Sequence, residues 1–162
     1  MIHSDSSAFV TVDWLAEHLN APTLRILDSS WYLPGSPRDP QQEFLAGHIP
    51  GAQFFDIDSV TRTDTSLPHM LPSADIFSEM LNSLGIEPGD CVVVYDSLGL
   101  FSAARVWWTL RVFGHDNVAI LEGGLPAWRR VNGPIVAGES PAASDSAGAA
   151  QAVRRAEDYA YC

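Results

Sequence analysis

The sequence predicts an α/β domain: a central parallel sheet with helices on both faces. Three observations carry this. Strand-like runs alternate with helix-periodic runs, joined by short Gly- and Pro-containing turns. The run Cys91 to Tyr95 is apolar and β-branched with no polar alternation, as expected of a strand buried on both faces. The chain has 162 residues, enough for one domain with a real core and too few for two full α/β domains.

The elements follow in order. Thr11 is placed to cap a short helix carrying Trp14, Leu15, His18 and Leu19, which closes near Asn20-Ala21-Pro22. Leu24 to Asp28 reads as a buried strand. A polar loop with Pro34, Gly35 and Pro37 leads to a helix from about Pro40 to Ala46, with Pro in the first turn and Gly47 just past the end. Ala52 to Phe55 is a second short strand. Ser73 caps a helix whose Ile76, Phe77, Met80, Leu81 and Leu84 share one face, and Gly85 ends it. Glu87-Pro88-Gly89-Asp90 is a turn into the central strand. A loop from Asp96 to Phe101 precedes a helix over Ser102 to Phe113, stopped by Gly114. Val118 to Leu121 is a strand, Gly123-Gly124 a turn, and Leu125 to Asn132 a helix stopped by Gly133.

The domain is therefore expected over residues 10–136, after an N-terminal tail over 1–9. From Ala137 to Ala152 the sequence is almost entirely Ala, Gly, Ser, Pro and acidic residues without periodicity, which is linker composition. Residues 137–162 are expected to be a flexible linker and truncated end, mobile because they hold too little apolar surface to offset ordering.

Composition excludes several classes. The formal net charge of −11 repels phosphate backbones, so a nucleic-acid partner is not expected. No stretch approaches the length of a membrane span, and Met1 to Ala8 has neither a basic nor an apolar segment of a signal peptide. Cys91 and Cys162 form no metal-ligand pattern and no disulfide framework. A reducing, cytoplasmic location is the expectation, with no metal and no cofactor.

Three segments, in order, carry a family resemblance. They are Leu27-Asp28-Ser29-Ser30-Trp31-Tyr32-Leu33-Pro34-Gly35; then Glu43-Phe44-Leu45-Ala46-Gly47-His48-Ile49-Pro50-Gly51-Ala52, running into Phe54-Phe55-Asp56-Ile57-Asp58; then Val93-Val94-Tyr95-Asp96, Arg105-Val106-Trp107-Trp108, Phe113-Gly114-His115 and Leu121-Glu122-Gly123-Gly124-Leu125-Pro126-Ala127-Trp128. Over residues 10 to 135 the chain resembles the rhodanese family, and within it the N-terminal domain of two-domain thiosulfate and 3-mercaptopyruvate sulfurtransferases. The resemblance implies a rhodanese-like α/β fold. In that family a Cys ends the central strand, and backbone N–H groups of the following loop and helix start point at its sulfur. They lower the thiol pKa and hold an anion or a persulfide.

This sequence departs at the decisive position. The central strand ends on Asp96, where a catalytic domain of the family has Cys. Asp96-Ser97-Leu98-Gly99-Leu100-Phe101 keeps the length of the family's loop, but a carboxylate cannot carry a persulfide, and its charge opposes an incoming donor anion. Cys91 sits at the far end of the strand and reads as a buried core residue; Cys162 is the last residue. No catalytic residue is therefore expected in this chain. The resemblance implies the non-catalytic half of a sulfurtransferase, one wall of an interdomain cleft. Its partners would be a catalytic C-terminal rhodanese domain and a small sulfur-donor anion, with cyanide or a thiol as acceptor. The alternative is a stand-alone inactive module that binds a protein or an anion.

Candidates for that wall are Trp31, Asp39, His48 and Phe101. Trp31 and Phe101 lie in loops, and the family's matching aromatics wall the pocket; ordinary packing is the alternative. His48 is either an architectural histidine at a turn or, as the mercaptopyruvate branch implies, a residue that with a preceding Asp, here Asp39 or Asp28, helps protonate or orient substrate in the interdomain cleft. Ser97 and Gly99 support the loop. Arg105 is expected to brace the loop–helix corner through an acidic partner. Trp107, Trp108 and Trp128 sit on helices and are expected in the core.

Overall fold

The computed structural model describes residues 8–61 and 70–140. Among the described residues, five strands form one parallel sheet: β1 (Phe9–Val10), β2 (Leu24–Asp28), β3 (Ala52–Phe54), β4 (Cys91–Tyr95) and β5 (Val118–Leu121). Their spatial order is β1-β5-β4-β2-β3. The described residues also form five helices that alternate with the strands: α1 (Val12–His18), α2 (Pro40–Ala46), α3 (Ala74–Ser83), α4 (Ala103–Val112) and α5 (Gly124–Arg130).

The side chains of β4 alternate between two cores, as the two-residue period of a strand requires. Val92 and Val94 join Leu27, Phe77, Leu81, Val106 and Leu110 on the face covered by α3 and α4. Cys91, Val93 and Tyr95 join Leu15, Ile26, Phe44, Leu125 and Trp128 on the face covered by α1, α2 and α5. Cys91 is thus a buried core residue, as expected, and burial pushes its thiol pKa up.

Local chemistry accounts for the helix starts. Thr11 accepts from the Trp14 N–H, and Ser73 from the Ile76 N–H. Asp39 caps α2, with Pro40 at its first turn. Gly47 ends α2 in an extended conformation, not a left-handed one, with φ 174°. A glycine is needed there for space, because a Cβ would lie 2.9 Å from Ile135 Cγ2.

Several expectations are corrected. Phe9, assigned to a tail, already pairs with Ile120 in the edge strand β1. The first residues of the expected linker are tied down: the Gly138 N–H donates to the Leu45 carbonyl at 2.8 Å, and the Ser140 hydroxyl donates to the Ala52 carbonyl. The rest of the proposed linker, and Cys162, lie outside the described residues. Trp128 is fully buried, but Trp108 is 47% exposed. Trp107 is only partly buried against the core, with its indole N–H on the Val118 carbonyl. Adjacent helical positions point about 100° apart, so two neighbouring tryptophans cannot both face the sheet.

The sheet register brings the C-terminal ends of β2 and β4 level, with Asp28 opposite Tyr95. From β2 the chain leaves toward β3, and from β4 it leaves toward β5 on the other side. This reversal of strand order opens a crevice at the C-terminal ends of two neighbouring strands, where open α/β sheets place their sites.

Candidate functional site

Asp96 follows β4 at this crevice and is 1% exposed. Its carboxylate is encircled by the backbone of the next seven residues. Oδ1 accepts from the N–H groups of Leu98 at 3.0 Å and Gly99 at 2.8 Å. Oδ2 accepts from Phe101 at 2.7 Å, Ser102 at 2.9 Å and Ala103 at 2.9 Å. The last three donors open helix α4. Ser102, at the cap position, makes no side-chain cap bond, so the Asp96 carboxylate satisfies the helix start in its place. The expected cradle of inward N–H groups has formed, and the protein's own carboxylate fills it.

The Gly123-Gly124 turn holds the other side of Asp96. The Leu125 N–H donates to the Asp96 carbonyl at 3.0 Å. A Cβ on Gly124 would sit 2.5 Å from that carbonyl oxygen and 3.0 Å from Gly99 Cα, and φ there is +54°. Only glycine allows the turn to approach the loop this closely.

The loop presents Leu98, Leu100 and Phe101 outward, each about half exposed. Phe101 stacks on Trp31 with ring centroids 6.3 Å apart, so the structure brings these two predicted wall residues together. The Trp31 indole N–H donates to the Asp58 carboxylate at 3.1 and 3.2 Å. This adds an acidic group to the same wall that was not singled out from sequence.

Ser97 joins the loop to the end of β2 through a chain of bonds. Its N–H donates to the Ser30 hydroxyl at 3.0 Å, and that hydroxyl donates to Asp28 at 2.5 Å. Its own hydroxyl lies 2.5 Å from the Tyr32 hydroxyl, which also bonds Glu43. Arg38 closes on Glu43 with two bonds of 2.7 Å and lies over the Tyr32 ring. Burial, and then the Glu43 carboxylate, push the Tyr32 pKa up to about 12, so the phenol stays a donor. The Arg38 bonds hold the Glu43 pKa low. Tyr32, Arg38 and Glu43 were missed as a unit; their signal was an Arg and a Glu five residues apart across a helix start.

Two predicted residues sit elsewhere, and a third lacks its expected partner. His48 is buried, stacks on Phe44 at 3.9 Å, and sets Nδ1 2.8 Å from the Phe44 carbonyl. Its backbone pairs with Val136 in both directions. Asp39 accepts from the Gln42 N–H as the cap of α2. The side-chain bonds of both run within or next to α2, not to the Asp96 loop. Arg105 does not form the expected ion pair: among the described residues no carboxylate faces it, and burial lowers its pKa. The carboxylate at this corner, Asp96, is spent on backbone N–H groups. Among the described residues no three His, Cys, Asp or Glu side chains converge as a metal site, and no helix is long and apolar enough to cross a membrane.

A model of the rhodanese-like domain matches residues 11–131. The chain belongs to the rhodanese family. Similar rhodanese proteins are thiosulfate/3-mercaptopyruvate sulfurtransferase 1, mitochondrial, of Arabidopsis thaliana, 49% identical over 98% of this chain and 41% of that protein, and human 3-mercaptopyruvate sulfurtransferase, 48% identical over 82% of this chain and 47% of that protein. SseA from Escherichia coli, a crystal structure of a 3-mercaptopyruvate sulfotransferase with the rhodanese fold, superposes with a TM-score of 0.77 at 42% identity, over 87% of this chain and 57% of that one. The chain thus spans somewhat under half the length of the curated sulfurtransferases it matches.

Proposed function

We propose that this rhodanese domain is the non-catalytic half of a thiosulfate or 3-mercaptopyruvate sulfurtransferase. It forms one wall of a cleft whose nucleophilic thiol belongs to a second rhodanese domain. One observation carries the reading. The five N–H groups that could hold a sulfur anion are already spent on the Asp96 carboxylate. A saturated cradle has neither a thiol to carry sulfur nor free donors for a substrate anion, so the domain's contribution has to be its surface. The Trp31–Phe101 stack, the Asp58 carboxylate, and the exposed Leu98 and Leu100 supply that surface. Arg105, half-buried and without a carboxylate partner among the described residues, supplies a cation for the donor anion. The acceptor is cyanide or a thiol, and the location is cytoplasmic; the Arabidopsis relative is mitochondrial by name.

The test is sulfur transfer from thiosulfate or 3-mercaptopyruvate to cyanide, by the chain alone and with a catalytic C-terminal rhodanese domain supplied in trans. The chain alone should show no turnover above background. Turnover that survives Cys91→Ser together with Cys162→Ser would overturn the reading, because no thiol would remain to carry the sulfur.

A further inference from the structure

A pocket of about 320 Å³ opens on the opposite side of the crevice from the Trp31–Phe101 wall, between α2 and α5. Two ionisable groups of opposite sign line it without pairing to each other. Asp28, at the end of β2, is 2% exposed. It accepts from the Ser30 N–H at 2.9 Å and the Ser30 hydroxyl, and it bonds the Tyr95 hydroxyl. All of these donors are neutral, and among the described residues no cation pairs with it. Burial accordingly raises its pKa. Arg129, on α5, lines the same pocket, is exposed, and among the described residues has no ion-pair or side-chain hydrogen-bond partner. The other guanidinium at the pocket, Arg38, is held by Glu43. Between them the walls are apolar, supplied by Pro40, Phe44, Leu125 and Pro126.

We infer that this pocket binds a small apolar α-amino acid, with its ammonium on Asp28 and its carboxylate on Arg129. The charges decide the class. A lone anion would set a second negative charge near the buried Asp28, in a chain of net charge −11. A lone amine would answer Asp28 and leave Arg129 facing a second cation. A zwitterion satisfies both ends and carries no net charge through the acidic surface, and its side chain has apolar walls to meet. The volume sits at the small end of ligand sites, which suits a molecule of this size. This inference does not rest on the sulfur chemistry proposed above.

The experiment is an NMR titration of the full ¹⁵N-labelled chain with three molecules of like carbon skeleton: L-valine, isovalerate and isobutylamine. L-Valine should give saturable shifts at the Ser30, Phe44, Gly47 and Leu125 amides. Isovalerate and isobutylamine should each bind about tenfold more weakly or worse, since each loses one charge-assisted contact. Arg129→Gln, at an exposed position, should weaken L-valine about tenfold and leave the remaining spectrum unchanged. Ala46→Phe, at the exposed rim of the pocket, should abolish the shifts. Absence of saturable shifts with L-valine, equal binding of either half-ligand, or an Arg129→Gln variant that binds as the parent does would each overturn the assignment.

Discussion

Replacing Asp96 with Ala removes the acceptor of five backbone N–H groups at once. A hydrogen bond to a charged group contributes roughly 1.5–3 kcal/mol. Five such bonds counted separately would rival the whole stability of a small domain, about 5–15 kcal/mol. They are not separate, however. One carboxylate serves them all, and water entering the emptied ring restores part of the bonding. The donors on Ser102 and Ala103 are fully buried and are the hardest for water to reach. We expect a loss of about 3–5 kcal/mol, as for removing one partner of a buried charged pair, and a fall in Tm of about 10–20 °C. Urea unfolding followed by tryptophan fluorescence would measure it.

The same variant makes a sharper test, because it empties an anion site. Sulfate or thiosulfate should then stabilise Asp96→Ala by occupying the ring, by about 2.7 kcal/mol at a hundred times its Kd. Sulfate also stabilises folded proteins in general by exclusion from their surface, so the quantity to read is the difference between variant and parent. The parent ring is full and should gain only the general effect. Equal anion stabilisation of both proteins, or an Asp96→Ala variant within about 1 kcal/mol of the parent without anion, would refute the view that the carboxylate is the ring's occupant.

Three further outcomes are expected. Gly124→Ala should cost at least about 3 kcal/mol, since the methyl meets backbone 2.5 Å away at a positive φ, whereas Gly35→Ala, at φ +88° with open space around it, should cost only the backbone strain of about 1–2 kcal/mol; paired urea titrations decide it. Burial raises the Asp28 pKa above its value in the unfolded chain, so its contribution is present below the ordinary Asp pKa and is lost as pH rises through the raised value. The stability of Asp28→Asn relative to the parent should therefore improve from about pH 4 upward, and a pH-independent difference between the two unfolding curves would contradict this. Finally, Leu98, Leu100 and Phe101 should drive self-association of the isolated chain that Leu100→Ser with Phe101→Ser suppresses; light scattering showing a clean monomer for the parent at high concentration would count against the proposed interface.

Most of the framework was legible because local chemistry and periodicity agree. Ser73 with the Ile76–Phe77–Met80–Leu81 stripe, and the β-branched run before Tyr95, leave little choice of element. Where the reading failed, the cause was nonlocal. Phe9–Val10 is two residues long and is a strand only because β5 offers it an edge. Gly138 and Ser140 have linker composition, yet their bonds go to Leu45 and Ala52, which the sequence places far away. The candidate site divides in the same way. That Asp96 directly follows the central strand was readable. That its side chain turns into the loop and takes five N–H groups depends on the loop's path, which Gly99 and Gly124 set together.

A filled cradle also explains why the wall is apolar. A loop that waits for an anion keeps its N–H groups available to water or ligand when empty, and its order depends on what is bound. Here the occupant is covalently part of the chain, so the loop is held without any ligand. The N–H groups of Leu98, Gly99, Phe101, Ser102 and Ala103 are all turned inward. What the loop tip can then offer outward is chiefly its side chains, and those are Leu98, Leu100 and Phe101. A carboxylate at this position thus fixes the loop from within and turns its apolar side chains outward, a surface that fits the proposed packing against a second domain.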